Sequence, residues 1–195
     1  MDINYKIKFH TYWHCGSGLA AGADADLLVI KDKDGLPFVP GKTIKGLIRE
    51  AVDILYSGKK ENDDYKAVFD NYTTVFGISG DQENSSRSES FFKDAILSEA
   101  ERKHIVFNEL SQHLYHTISG TAIEDDGTAK DNSLRKIQVC VPCELEGEIL
   151  NVPNQQMAEA IINGLRYIKR LGAWRNRGLG RCAIEAITEK KGGKA

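Results

Sequence analysis

Val39-Pro40-Gly41-Lys42-Thr43-Ile44-Lys45-Gly46-Leu47-Ile48-Arg49 is the stretch that decides how this chain folds. Proline and glycine end an extended segment, and the residues after them have the apolar spacing of a helix. Ile44, Leu47, Ile48, Ala51 and Leu55 share one face, which predicts a helix over residues 43–56, with Thr43 as N-cap and Gly58 as its stop. A helix start offers unpaired N–H groups and partial positive charge, a site for phosphate. Lys42, Thr43 and Lys45 lie in its first turn and Arg49 one turn later. An ordinary solvated helix start accounts for these residues equally well. The pattern GxxxxGK[ST] of a nucleotide-binding P-loop is absent.

Upstream, Ile3, Tyr5, Ile7 and Phe9 alternate with Asn4, Lys6, Lys8 and His10, the mark of a strand with one buried face. A small-residue loop at 16–22, the pair Asp24 and Asp26, a short strand at 27–30 and a turn at 33–35 lead to Pro40. Downstream, a second helix is expected over 64–75 and a polar, flexible loop over 79–90. Residues 91–97 and 105–106 read as central strands, 113–136 as a protruding hairpin with an Asp125-Asp126-Gly127 turn, and 138–150 as a returning strand. A last helix over 154–171, capped by Asn154 or Asn151, a strand over 181–188 and a frayed tail at 190–195 finish the chain. Strand, helix, strands, helix, strand is the ferredoxin-like (RRM-like) α+β order with insertions, in a single domain over residues 1–195.

The 195 residues carry a net charge of −2, which argues against indiscriminate coating of nucleic acid. Distribution matters more than the total. Arg166, Lys169, Arg170, Arg175, Arg177 and Arg181 fall in a stretch with no acid, whereas acids gather at 99–109, 124–131 and 144–148. One basic end on a neutral chain implies a localised anionic partner. No apolar run approaches the ~20 residues of a membrane span, and the N-terminus lacks a secretory n-region. Four cysteines without a disulfide framework suit a reducing cytoplasm.

Gly172-Ala173-Trp174-Arg175-Asn176-Arg177-Gly178-Leu179-Gly180-Arg181 places arginines between glycines, so that backbone N–H groups and forked guanidiniums can approach phosphates together. The glycines also suit a tight helix-to-strand connection. Trp174 could stack a base, although a tryptophan beside a helix end is more often core.

A Pro-Gly-x-[Ser/Thr]-Ile-Lys-Gly-x-x-Arg helix start paired with a C-terminal Gly-x-Gly-Arg loop resembles the RAMP superfamily of CRISPR-associated proteins. His14-Cys15-Gly16-Ser17-Gly18 is similar to that family's His-x-Gly-Gly/Ser segment. Residues 26–32 resemble the lead-in of the repeating backbone subunit of type III effector complexes, and Phe91-Phe92-Lys93-Asp94-Ala95 that subunit's Phe-x-Asp-Ala. The resemblance implies a Csm/Cmr-type subunit that polymerises with copies of itself and other CRISPR effector subunits along a guide RNA and meets complementary target RNA. It implies guide contacts at Lys42, Thr43, Lys45 and Arg49, and at Arg175, Arg177 and Arg181 on the glycine-rich loop. It also implies a histidine near the RNA path at His14, and a thumb at 113–136 bearing Arg135.

In active members an aspartate on the loop before the Pro-Gly motif supports target cleavage. Asp26 matches it, with Asp24 its neighbour, and the resemblance implies an endoribonuclease assisted by a divalent ion such as Mg2+. Two departures stand out: Lys42-Thr43 replaces the commoner pair of serines, and the chain is compact. A non-catalytic subunit, or a metal-free processing ribonuclease with a histidine base, are the rival readings. Cys140-Val141-Pro142-Cys143 has metal-ligand spacing, but a second pair is missing, so no metal site is assigned.

Overall fold

The computed structural model describes residues 1–19, 26–59, 65–78, 86–121, 123–128, 130 and 133–187. Asp24, most of the 79–90 loop and the 190–195 tail lie outside the described residues. Among those described, the elements run β1 (Ile3–Phe9), α1 (Gly41–Tyr56), α2 (Lys66–Asp70), α3 (Tyr72–Phe76), β2 (Phe91–Phe92), α4 (Glu99–Phe107), β3 (Tyr115–Gly120), β4 (Arg135–Cys140), β5 (Glu144–Leu150), α5 (Gln155–Tyr167) and β6 (Cys182–Ile187).

β1 is the centre of a four-stranded antiparallel sheet of order β2-β5-β1-β6. With α1 and α5 as the two crossovers, this is the ferredoxin-like topology. Ile3, Tyr5, Ile7 and Phe9 point into the core, where Leu145, Ile149 and Ile184 join them. The apolar stripes of α1 (Ile44, Ile48, Ala51, Val52) and α5 (Met157, Ile161, Leu165) cover that face. Gly164 lets the helices close, since a Cβ there would already lie 3.4 Å from Ile48 and Val52. Asn154 caps α5 by accepting from the Met157 N–H at 2.8 Å.

The opposite face of the sheet is polar. Lys6 bridges Glu144 and Glu146 at 3.0 and 3.1 Å, and Lys93 pairs with Glu148. Its strands β1, β5 and β6 set acids and lysines there, and the edge strand β2 adds the exposed ring of Phe91.

Several expected boundaries are corrected. Residues 105–106 are helical, because Ser98 and Glu101 form a capping box that starts α4. The strand expected over 138–150 is two strands in different sheets, β4 and β5, separated at Val141-Pro142. The helix expected over 64–75 is the two short turns α2 and α3. Residues 27–30 make isolated bridges to Ile137 and Gly16 in place of a strand, and the last helix ends at Tyr167. β3 and β4 pair antiparallel from Tyr115↔Cys140 to Gly120↔Arg135, so the ladder runs to Cys140, past the end expected at 136.

Candidate nucleic-acid interface

The Pro40-Gly41 turn and the Phe92-Lys93-Asp94-Ala95 segment form one unit. Val39 and Ala95 exchange both backbone hydrogen bonds at 2.9 Å, which presses the Phe92 carbonyl against Gly41. A Cβ on Gly41 would lie 1.9 Å from that oxygen, so glycine is obligatory. Asp94 Oδ1 accepts from the Gly41 N–H at 2.8 Å. The expected open helix start is thus corrected: α1 begins at Gly41, Pro40 is its N-cap, Thr43 lies inside the first turn, and a carboxylate already faces the positive end.

On α1, Lys42, Lys45 and Arg49 fall within about 60° of arc at 100° per residue. Burial and the nearby Arg49 charge hold the Lys45 ammonium below its usual range, and its Nζ lies 5.9 Å from the Phe92 ring centre. The Thr43 hydroxyl turns the other way, toward the Cys15 thiol, whose pKa burial pushes up to about 11 against that contact.

The glycine-rich loop lies along residues 10–14. Ala173 donates to the His14 carbonyl at 2.9 Å, Gly180 to Tyr12 at 2.7 Å, and His10 to Arg181 at 2.8 Å. Gly172 (φ +96°) and Gly180 (φ +68°) leave no room for a side chain: a Cβ would lie 2.1 Å from the His14 oxygen and 1.9 Å from the Leu171 oxygen. These glycines serve a close backbone approach, and the cations between them are set outward. Arg175, Arg177 and Arg181 are all exposed.

The resemblance implies an RNA contact at His14, and here the structure corrects the placement. His14 is 1% exposed, and its Nδ1 donates to the Gln138 carbonyl at 2.7 Å. Burial holds its pKa below the ordinary histidine range, with that hydrogen bond opposing. It stands as the joint between the loop, which hangs from its carbonyl, and β4, which its ring touches.

The β3–β4 hairpin docks on the same joint. Trp13 and Cys140 exchange backbone hydrogen bonds at 3.1 and 2.8 Å, and Ile137 and Val139 form a small second core with Leu179, Ile118, Ala173 and Trp174. Asp26 is fastened to β4 twice: its N–H donates to the Lys136 carbonyl at 2.8 Å, and its Oδ2 accepts from the Lys136 N–H at 2.7 Å. The result is a cleft of about 400 Å3 lined by Asp26, Leu27, Leu134, Arg135, Lys136, Ile137 and Trp174. Asp26 and Arg135, 109 positions apart, thus share one wall system, with Arg177 over the Trp174 ring at 5.2 Å.

The two basic segments abut: Leu47, Glu50 and Ile54 of α1 face Arg170 and Arg175 across a small recess of about 140 Å3, while Lys42, Lys45 and Arg49 occupy the other flank of the helix. Asp94 is the residue whose importance sequence reasoning missed: it sits inside the Phe-x-Asp-Ala segment, whose spacing alone gives it no role.

Cys140 and Cys143 lie side by side, and their mutual hydrogen bond together with burial pushes the Cys140 thiol up. Among the described residues no three His, Cys, Asp or Glu side chains gather to hold a metal. Asp26 alone could share a magnesium ion with RNA phosphates, an arrangement that ion commonly adopts.

A family model of the RAMP superfamily matches residues 6–183. The chain belongs to the RAMP superfamily. In fold it is similar to a chain of type III-B Cmr-beta bound to cognate target RNA, with a TM-score of 0.67 at 14% identity over 95% of this chain and 97% of that one. A chain of the apo state of Cmr-beta gives 0.68 at 14% identity, covering 97% and 98%. A chain of a type IV-B CRISPR complex gives 0.62 at 12% identity, covering 100% and 94%. No curated protein matches the sequence.

Proposed function

We propose that this chain is a guide-RNA-binding backbone subunit of a type III-like CRISPR ribonucleoprotein, and that it cleaves complementary target RNA at the Asp26 cleft. The observation that carries this reading is the convergence of Asp26, Arg135 and the arginine-bearing loop on one cleft in a RAMP-family chain. Its fold relatives sit in CRISPR assemblies, one bound to target RNA. The subunit would work in the cytoplasm beside copies of itself and other effector subunits.

In this reading Lys42, Lys45 and Arg49 follow the guide backbone along α1, with the Thr43 hydroxyl turned to Cys15 beneath them, and Arg175, Arg177 and Arg181 hold it at the loop. His14 acts by positioning that loop. The hairpin, with Arg135 at the loop end of its ladder, sits against the guide–target duplex. A displaced target nucleotide turns its 2′-hydroxyl toward the next phosphate. The O2′–P bond forms, the P–O5′ bond breaks, and the products are a 2′,3′-cyclic phosphate and a 5′-hydroxyl. The Asp26 carboxylate, oriented by the Lys136 N–H, receives the 2′-hydroxyl proton. Asp26 would hold a divalent ion here, and such an ion would supply charge neutralisation at the phosphate.

The test is to assemble the complex with its guide and add complementary RNA in magnesium. Regularly spaced cuts that fall by at least ~100-fold in Asp26→Asn, with target binding kept, are expected. Binding without cuts in the wild type would leave a structural subunit. Metal-free cutting of guide precursor by the isolated chain would make it a processing ribonuclease.

A further inference from the structure

Trp174 is the largest side chain left half-open at the cleft, and the fold goes to some length to hold it there. Its backbone is left-handed (φ 53°, ψ 24°), a conformation that costs a bulky residue free energy. The indole edge lies against β3 at Gly120, where even a Cβ would come within 3.1 Å of Cη2. The Arg177 guanidinium stands 5.2 Å over the ring, and Trp174 lines the same cleft as Asp26 and Arg135. The left-handed backbone belongs to the loop whatever side chain sits there, and the ring both packs on the small hairpin core and faces the cleft.

We propose that Trp174 is a nucleobase-binding site: an unpaired base of single-stranded RNA stacks on the indole, while Arg135 and Arg177 meet its flanking phosphates. The cleft volume of about 400 Å3 falls within the range of small-ligand sites. The stack is indifferent to base identity, because every base has a π-face. The inference rests on the reading that the chain binds RNA, and it adds which side chain receives a displaced base.

The chain carries two tryptophans, which makes the test direct. Trp13 is fully buried and stacked on Phe9 at 4.3 Å, so it is a silent reference, and Trp174 is the reporter. The full chain is titrated with a short oligouridine and with an abasic ribose-phosphate strand of equal length. Oligouridine is expected to quench the fluorescence. Trp174→Leu should remove the quench and weaken oligouridine binding by roughly 5- to 100-fold, Trp174→Phe should keep most of the affinity, and the abasic strand should bind all three proteins alike. Both strands binding equally without quenching, or Trp174→Leu weakening the abasic strand as much, overturns the stacking site alone. Failure of the wild type to bind either strand overturns the RNA reading as well.

Discussion

The start of α1 and the loop at residues 171–181 look alike as sequences, each a set of glycines among cations, yet they offer an anion different things. Both owe glycine to backbone crowding: at Gly41 against the Phe92 carbonyl, at Gly172 and Gly180 against those of His14 and Leu171. At the helix start the first N–H is already taken by Asp94, so attraction for phosphate is left to the side chains Lys42, Lys45 and Arg49. At the loop Arg175, Arg177 and Arg181 stand exposed, and Arg177 lies over the ring of Trp174, which lines the Asp26 cleft. A glycine next to a lysine therefore identifies a tight packing point first, and an anion site only where the charges around it remain unspent.

The largest effects should come from the crowded glycines. Gly41→Ala and Gly172→Ala are expected to cost about 3–5 kcal/mol each, read from denaturation midpoints, because backbone has to move. Gly178→Ala, in the same loop at φ +87° with nothing within 4 Å, should cost only about 1–2 kcal/mol. Equal losses at Gly172 and Gly178 would show that torsion, and not crowding, governs the loop.

Asp94 separates the two regions next. Asp94→Ala should lower stability by about 1–2 kcal/mol through removal of the cap. Asp94→Asn keeps an acceptor, so it should cost less and tighten RNA binding a few-fold by removing a carboxylate from the basic helix start. Weaker RNA binding in Asp94→Asn would mean that the carboxylate orders the RNA-contacting residues. The smallest effect belongs to Gly46, which is mid-helix with nothing within 4 Å of an added Cβ. Gly46→Ala should stabilise the chain by about 1 kcal/mol. A more stable protein that binds RNA less well would show that the strand passes close to this turn of α1.

Much of the frame could be read from the chain itself. The period of two at residues 3–9 and the apolar stripes of α1 and α5 report directly on the face each element buries, so those elements stand where expected apart from the start of α1 and the end of α5. The middle is harder for a physical reason. Residues 91–97 make only two residues of strand and two isolated bridges, and α4 buries no residue, so hydrophobic periodicity carries little there. The capping-box signal at Ser98 and Glu101 is the available clue to α4, and Pro142 the clue that 138–150 must break. Asp26, Arg135 and the arginines of the loop are identifiable as candidates, whereas the meeting of Asp26, Arg135 and Trp174 in one cleft depends on tertiary pairings such as that of Asp26 with Lys136. The burial of His14 and the Asp94 cap are likewise products of tertiary approach that no local pattern encodes.

The salt dependence of RNA binding tests most directly the claim that the loop beside the Asp26 cleft grips the backbone. Affinity for single-stranded RNA should be measured across a range of salt concentrations for the wild type and for the triple variant Arg175→Ala, Arg177→Ala, Arg181→Ala. Removing one arginine–phosphate pair is expected to reduce the slope of log K against log salt by about 0.7, so the triple variant should be shallower by about 2 while remaining folded. An unchanged slope in a folded triple variant would contradict the account and move the RNA to another face of the molecule.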